Sequence, residues 1–99
     1  MRIRDEYDLE FLVNESERLV LEQLERQLEK GIDIPICTCQ ECVLDMAALA
    51  LNNVKPLYRV SLLGTLYAHA VQRSEYECEI TRAVSEAVEK IARNPSHAT

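Results

Sequence analysis

The chain has few residues that break helices and no run of apolar residues long enough to cross a membrane. Its 99 residues include two glycines, three prolines and no tryptophan, and each glycine or proline sits where a helix or strand is expected to end. No uncharged segment reaches the ~20 residues that span a bilayer, and no apolar stretch follows the basic residues at the N-terminus. We therefore expect a cytoplasmic protein with no membrane partner.

The sequence also lacks the residue patterns that enzymes use. It contains no nucleophile paired with a base, no glycine-rich phosphate loop, no paired catalytic carboxylates and no internal repeat. We expect a single non-enzymatic domain over residues 1–99, with residues 1–7 and 95–99 as flexible ends. A chain of this length buries a small core, so a metal ion or a partner subunit would add useful stability.

Acidic residues are absent from the middle of the chain. The net charge is −6, and residues 1–30 hold nine of the 17 acidic residues, whereas none lies between Met46 and Ser74. That stretch includes three basic residues, Lys55, Arg59 and Arg73. An anionic ligand would therefore bind there, while the overall acidity disfavours binding to DNA or RNA polymers.

Three main helices are predicted, which places the protein in the all-α class. The first runs from Asp8 to Lys30 and stops at Gly31, although a capping box at Asn14 and Glu17 would allow it to start or kink there. Its apolar stripe is broader than one small core needs. Together with the alanine-rich face of the second helix, this stripe predicts a two-fold homodimer.

Capping boxes also mark the starts of the second and third helices. Thr38 with Glu41 predicts a helix that runs to about Asn53, and Ser74 with Glu77 predicts one that runs to about Arg93. The two buried faces are expected to contain these apolar residues: Val43, Met46, Ala47, Ala50, Leu51 and Val54, then Ile80, Val84, Ala87 and Ile91. Residues 56–70 give no consistent period, so we expect an irregular or hairpin-like segment between these helices.

Cysteines are concentrated at the start of the second helix. Cys37, Cys39 and Cys42 lie within six residues, and Cys78 is the fourth cysteine of the chain. Four thiolates form a complete tetrahedral shell for Zn²⁺, so we predict a structural zinc ion bound by all four cysteines. Cys78 would sit near the start of the third helix and away from its apolar stripe, which favours a role as the fourth ligand. The zinc ion would then join the starts of the second and third helices.

Other interpretations of the cysteines remain open. Cys39 and Cys42 form a C-x-x-C pair at a helix start, as in redox enzymes, but the preceding strand of that motif is missing and Cys37 is unexplained. An iron–sulfur cluster is possible, although the spacing matches neither common ferredoxin pattern. Cys78 alone could be a small buried apolar residue.

Five residues of the acid-free stretch are candidates for binding an anionic ligand with stackable bases. Arginine and lysine side chains bind phosphate and tyrosine rings stack on bases; the candidates are Lys55, Tyr58, Arg59, Tyr67 and Arg73. The competing interpretation is an ordinary loop that contributes tyrosines to the core. Asp45 could orient a metal ligand or be solvated, and a solvated or packing role is expected for His69 and His97.

The motif Cys37-x-Cys39-x-x-Cys42-x-x-Asp45, followed by residues 47–52 and then Pro56-x-Tyr58, resembles the late competence development protein ComFB family. The resemblance covers residues 14–60. It implies a small, mostly helical homodimer with a cysteine-bound zinc ion, in which Cys37, Cys39 and Cys42 are ligands.

The resemblance also implies a function. Members of the family occur in bacteria in the context of competence for DNA uptake, and relatives are associated with cyclic dinucleotides and surface motility. One expectation is therefore a signalling receptor that binds a cyclic dinucleotide such as cyclic di-GMP and acts on a protein partner. The alternative is an adaptor that binds proteins in competence or motility without a small-molecule ligand.

Overall fold

A computed structural model describes the backbone of residues 1–60 and 62–95 and the side chains of residues 1–60 and 75–95. Helices α1 (Ile3–Glu6), α2 (Glu15–Lys30), α3 (Gln40–Leu51) and α4 (Leu62–Arg93) are joined by a 3₁₀ turn at Leu9–Phe11 and by two short strands, β1 (Val13–Asn14) and β2 (Tyr58–Arg59). The strands pair antiparallel. The prediction of three main helices is confirmed, and the small sheet is an addition to it. Within residues 1–60 and 62–95, no helix combines the length and the hydrophobicity that a bilayer-spanning segment needs.

Helix α2 begins at the capping box inside the predicted first helix. Asn14 is the N-cap, and its side-chain oxygen accepts hydrogen bonds from the Ser16 N–H (3.2 Å) and the Ser16 hydroxyl (2.6 Å). The helix ends at Gly31, which has a φ of 77° and whose N–H donates to the Gln27 carbonyl. A positive φ is easily adopted only by glycine, so the predicted end is confirmed. The predicted start at Asp8 is seven residues too early, whereas the alternative start at Asn14 is confirmed.

The segment between α3 and α4 differs from the prediction. Tyr58 and Arg59 form β2, whose partner is β1 rather than a neighbouring hairpin strand, and α4 already begins at Leu62. Ser74 therefore lies inside a 32-residue helix and does not begin it. Gly64 costs a helix only about 1 kcal/mol relative to alanine, which the rest of a long helix can offset. Ser74 and Glu77 thus match a capping box in sequence, but Ser74 is not the cap of a helix.

The core lies between α2, α3 and α4. Its buried apolar residues are Val20, Leu24, Cys42, Met46, Ala47, Ala50, Val54, Ile80, Ala83, Val84, Ala87 and Val88. The predicted faces of the second and third helices are therefore largely confirmed, with Val43, Leu51 and Ile91 partly buried at their margins. Small alanine side chains on both helices allow α3 and α4 to approach closely.

Helices α3 and α4 run antiparallel. Just after α3, the Lys55 N–H donates to the Glu79 carboxylate (3.0 Å) and the Tyr76 hydroxyl donates to the Lys55 carbonyl (2.8 Å). Earlier along the chain, Leu49 and Asn53 line a shallow groove with residues 83–90 of α4. Residues earlier in α3 therefore contact residues later in α4. The C-terminal end of α4 lies at the same end of the molecule as the N-terminus of α3.

A buried polar cluster joins the start of α2 to the segment before β2. The Asn14 side-chain oxygen also accepts from the Leu57 N–H (2.8 Å), and the Glu15 N–H donates to the Leu57 carbonyl (2.7 Å). The Glu15 carboxylate, 4% exposed, accepts from Arg59 at 2.7 Å and from Arg18 at 2.8 Å. These bonds satisfy polar groups that would otherwise be costly to bury.

The Glu15 carboxyl has a lowered pKa. Burial, the largest single influence, acts to raise its pKa, but the hydrogen bonds and positive charges of Arg18 and Arg59 together outweigh burial. Burial conversely raises the pKa of Tyr76, whose hydroxyl donates to the Lys55 carbonyl. The ionised form of Glu15 is therefore the form that the folded chain stabilises.

We predict that Glu15→Gln destabilises the protein by about 3 kcal/mol at neutral pH, because it leaves the partly buried Arg59 without its counter-ion. The lowered pKa contributes stability above the unfolded value of about 4.3, and this contribution is lost as the pH falls through the folded value. The difference between wild type and variant should therefore shrink below that pH. Urea unfolding at several pH values measures it.

Glu22→Gln is the matched control. Glu22 also pairs with Arg18, but its side chain is 46% exposed, so we expect a change within about 0.5 kcal/mol at every pH. An equal effect of both substitutions would show that the burial of Glu15 contributes nothing to stability.

Candidate metal centre

Three of the four cysteines meet at the N-terminus of α3. The sulfur atoms of Cys37, Cys39 and Cys42 all lie within 4.8 Å of one another. In a tetrahedral site with Zn–S bonds near 2.3 Å, neighbouring sulfur atoms are roughly 3.8 Å apart. The three donors are soft, close together and on one side of the chain, so they fit a zinc ion with little rearrangement. None of the four cysteines forms a disulfide.

The local fold of this segment explains why the thiols converge. Helix α3 begins at Gln40 with Cys39 as its N-cap, one residue later than the predicted cap at Thr38. The Cys39 sulfur accepts a hydrogen bond from the Cys42 N–H (3.4 Å), as a serine or aspartate oxygen does in a conventional cap. Cys39 and Cys42 are about one helical turn apart in the chain, this bond draws the Cys39 sulfur over the first turn of α3, and Cys37 precedes Cys39 by two residues.

The same arrangement favours negative charge on sulfur. The Cys42 N–H is the strongest influence that lowers the pKa of Cys39, and the thiols of Cys37 and Cys42 and the Glu41 N–H act in the same direction against a smaller effect of burial. The N-terminal end of a helix carries partial positive charge, which stabilises a thiolate. A thiolate is the form that binds a metal ion.

Exposure increases across the cluster from one side to the other. Cys42 is completely buried, Cys37 is half-buried and Cys39 is exposed. A metal ion bound to all three would be held against the core by Cys42 and would be open towards solvent beside Cys39. Asp45, one turn further along α3, is exposed and does not belong to this group of donors.

Cys78 does not join the other three. It is exposed on α4, between Tyr76 and Glu79, whose side chains contact Lys55 beyond the C-terminal end of α3. Helix α3 has 12 residues and is about 18 Å long, so Cys78 lies roughly a helix length from the cluster and is not part of it. The predicted position of Cys78, away from the apolar stripe of its helix, agrees with its exposure. However, α4 begins at Leu62, so Cys78 lies well inside this helix and not near its start. A zinc ion bound to Cys78 would therefore not join the starts of two helices.

The structure describes three of the five predicted ligand-binding residues. Tyr58 is 62% exposed and Lys55 is exposed, but the Arg59 guanidinium is occupied by the buried Glu15 carboxylate. The side chains of Tyr67 and Arg73, and that of His69, lie outside the described residues. The three described candidates are thus neighbours in the chain, and two of them, Lys55 and Tyr58, have exposed side chains.

The sequence analysis did not identify Glu15, the buried partner of Arg59, as an important residue. The capping pattern pointed to Asn14 and Glu17, yet Glu17 is exposed while Glu15 is buried against Arg59. The sequence offered one weak signal, which is that Glu15 precedes Arg18 by three residues and can pair with it. Its pairing with Arg59, 44 positions away, required the fold.

Comparisons with known proteins agree with this architecture. The model of the family described as "Late competence development protein ComFB" matches residues 13–95. Among solved structures, the late competence protein ComFB from Bacillus subtilis superposes with a TM-score of 0.67 at 29% sequence identity, covering 86% of this chain and 92% of the other. No protein of curated function matched the chain.

We predict that Zn²⁺ stabilises the wild-type protein and Cys78→Ser but not Cys39→Ser. Zinc at about 100 times its Kd would add about 2.7 kcal/mol, which corresponds to a rise in Tm of roughly 10 °C or more for a domain of this size. Thermal melts with zinc and with a chelator measure this. A loss of stabilisation in Cys78→Ser would contradict the position of Cys78 in the structure.

Proposed function

The chain belongs to the late competence development protein ComFB family, and we propose that it is a non-enzymatic bacterial regulatory protein built around a structural zinc ion. The observation that supports the metal is the convergence of Cys37, Cys39 and Cys42 at one helix N-terminus. When bound, zinc would fix the loop between α2 and α3 to the start of α3. Such a metal cross-link would add stability to a domain of 99 residues, whose own core supplies limited stability.

The regulatory signal that we propose is a cyclic dinucleotide. This ligand has two phosphates and two bases, and it requires cations and aromatic surfaces. Tyr58 and Lys55 are both exposed and lie in a part of the sequence without acidic residues, and Tyr67 and Arg73 follow in the chain. Binding there would act on the contacts that Lys55 makes with α4, and α4 would carry the change to a protein partner in competence or motility.

One contact favours a second candidate function. The Arg59 guanidinium is bonded to Glu15 at 2.7 Å, so its charge is already neutralised within the chain. A phosphate would have to compete with a buried carboxylate for it, which costs binding energy. If Tyr58 and Lys55 contact a protein instead, the chain is an adaptor without a small-molecule ligand.

We also propose that the protein acts as a homodimer. Large apolar side chains are exposed along the segment before α2 and on α2 itself: Ile3, Tyr7, Phe11, Leu12 and Leu21. Covering them with a second copy would remove this area from water. The alanine face of α3 does not support the dimer as predicted, because Ala47 and Ala50 are buried within the chain's own core.

The receptor is tested by calorimetric titration of the protein with cyclic di-GMP and cyclic di-AMP. We expect submicromolar binding of one of them, weakened roughly 5- to 140-fold in Tyr58→Ala because the loss of one stacking surface costs about 1 to 3 kcal/mol. Tyr7→Ala is the matched control, since Tyr7 has a similar exposure of 57% and lies outside the proposed site.

Arg59 is examined separately because its removal also disturbs Glu15. If Arg59 binds phosphate, Arg59→Ala should weaken nucleotide binding, and Glu15→Gln, which releases the Arg59 guanidinium, should strengthen it. Arg73→Ala should also weaken nucleotide binding. If the wild-type protein binds neither nucleotide, the receptor function is contradicted and the adaptor function is the one that remains.

The dimer is tested by sedimentation velocity at micromolar concentration. We expect a dimer for the wild-type protein and a monomer for Phe11→Glu, because a buried charge without a partner strongly destabilises an interface. Leu44→Glu, on α3, is the control, since Leu44 is 58% exposed and lies outside the proposed interface. A wild-type monomer, or dissociation caused by Leu44→Glu instead, would contradict the proposal.

A further inference from the structure

Residues 1–12 form an N-terminal arm that is exposed on the outside of the three-helix core. Among the described residues, its hydrogen bonds join arm residues only to one another, for example Tyr7 N–H to the Ile3 carbonyl and Leu12 N–H to the Leu9 carbonyl, both at 3.0 Å. Eleven of the 12 residues are exposed and Leu9 is half-buried. The match to the family model begins at residue 13, so the arm is additional to the matched part. The core of the chain therefore leaves the apolar side chains of the arm in water.

The arm leaves the rest of the molecule from a hydrogen-bonded strand. It runs directly into β1, which pairs with β2 in the register Val13 to Arg59. One step back along this register, Leu12 comes opposite Val60, and the two side chains are 51% and 68% exposed. Residues opposite each other on paired strands share one face of the sheet. The apolar surface of the arm thus continues onto β2, and the strand pairing sets the direction in which the arm leaves.

The charges of the arm are complementary to a second arm that runs in the opposite direction. If two arms are aligned antiparallel about residue 6, Arg2 of each lies opposite Glu10 of the other, and Arg4 lies opposite Asp8. All four side chains are exposed. In the described part of the chain, no salt bridge involves either arginine. A parallel alignment would instead place each charge against a like charge, which disfavours association.

The apolar residues of the arm match in the same alignment. Ile3 lies opposite Leu9, and Met1 lies opposite Phe11. Ile3 and Phe11 are 59% and 65% exposed, so both gain by being covered. Only Glu6, on the symmetry axis, meets its own equivalent. A two-fold interface requires one surface that is complementary to itself, and the sequence of the arm has this property.

We propose that the N-terminal arm is the segment through which two copies of this chain recognise each other, by antiparallel pairing about a two-fold axis at Glu6. The proposal rests on the homodimer proposed above and assigns its contacts. The apolar residues of the arm are covered, and the pairs Arg2–Glu10 and Arg4–Asp8 fix the register and direction of the two chains.

The test is charge reversal in the full chain, with the dimer dissociation constant measured by sedimentation velocity over a range of concentrations. Arg4→Asp and Asp8→Arg each create two like-charge contacts per dimer, so we expect each to weaken dimerisation at least about tenfold at low salt. The double variant restores opposite charges and should dimerise like the wild type. An equimolar mixture of the two single variants should also dimerise, because each then supplies the charges that the other needs.

The double variant also controls for local structure. The Asp8 carboxylate accepts a hydrogen bond from the Glu10 N–H (3.0 Å), and Asp8→Arg removes this bond in the single and the double variant alike. Recovery of the dimer in the double variant therefore attributes the single effect to charge. Arg82→Asp and Asp33→Arg change the net charge equally at exposed positions outside the arm and should leave dimerisation unchanged. Glu6→Gln removes the repulsion on the axis and should strengthen dimerisation roughly twofold or more.

Two results would overturn arm pairing while leaving the homodimer intact. One is a wild-type dimer whose dissociation constant is unchanged by Arg4→Asp. The other is a double variant that stays monomeric although circular dichroism shows it to be folded. A wild-type chain that is monomeric throughout would overturn the homodimer itself, and arm pairing with it.

Discussion

The buried carboxylate of Glu15 holds together parts of the chain that are distant in sequence. It lies at the first turn of α2 and bonds to Arg59 of β2, while the neighbouring Asn14 and the Glu15 N–H bond to Leu57. The segment that leaves α3 is thereby fixed against α2. Because the same segment contacts α4 through Lys55, all three main helices are positioned relative to this one polar cluster.

The cysteine cluster lies at the other end of α3 and depends on a different kind of interaction. Its three sulfur atoms are brought together by the start of one helix, with Cys39 as the cap and Cys42 buried in the core. The polar cluster thus determines how the helices pack, whereas the cysteines determine the shape of the loop before α3. A metal ion would stabilise the end of the molecule that Glu15 does not reach. The proposed nucleotide surface at Tyr58 lies beside the polar cluster, so a ligand there would act on the packing of the helices rather than on the metal.

The helices themselves were largely predictable, and the errors have physical causes. The end of α2 at Gly31 and the buried faces of α3 and α4 follow from glycine conformation and from helical periodicity, which are local properties. The start of α4 was missed because a serine followed three residues later by glutamate occurs inside helices as well as at their caps. The partner of β2 was missed because it precedes α2, and short strands carry too little sequence signal to identify a partner 44 to 46 residues away.

The sequence alone determined that Cys37, Cys39 and Cys42 lie close together, because these three residues fall within six positions at the start of one helix. Any helix that starts near residue 40 brings them together. Only the tertiary structure decided that Cys78 lies far from them and that Glu15, rather than Glu17, is buried. These outcomes depend on where α4 begins and on its antiparallel direction relative to α3, which are set by the packing of whole helices. The spacing of residues along the chain fixes neighbours within a turn, but it does not fix which ends of two long helices lie side by side.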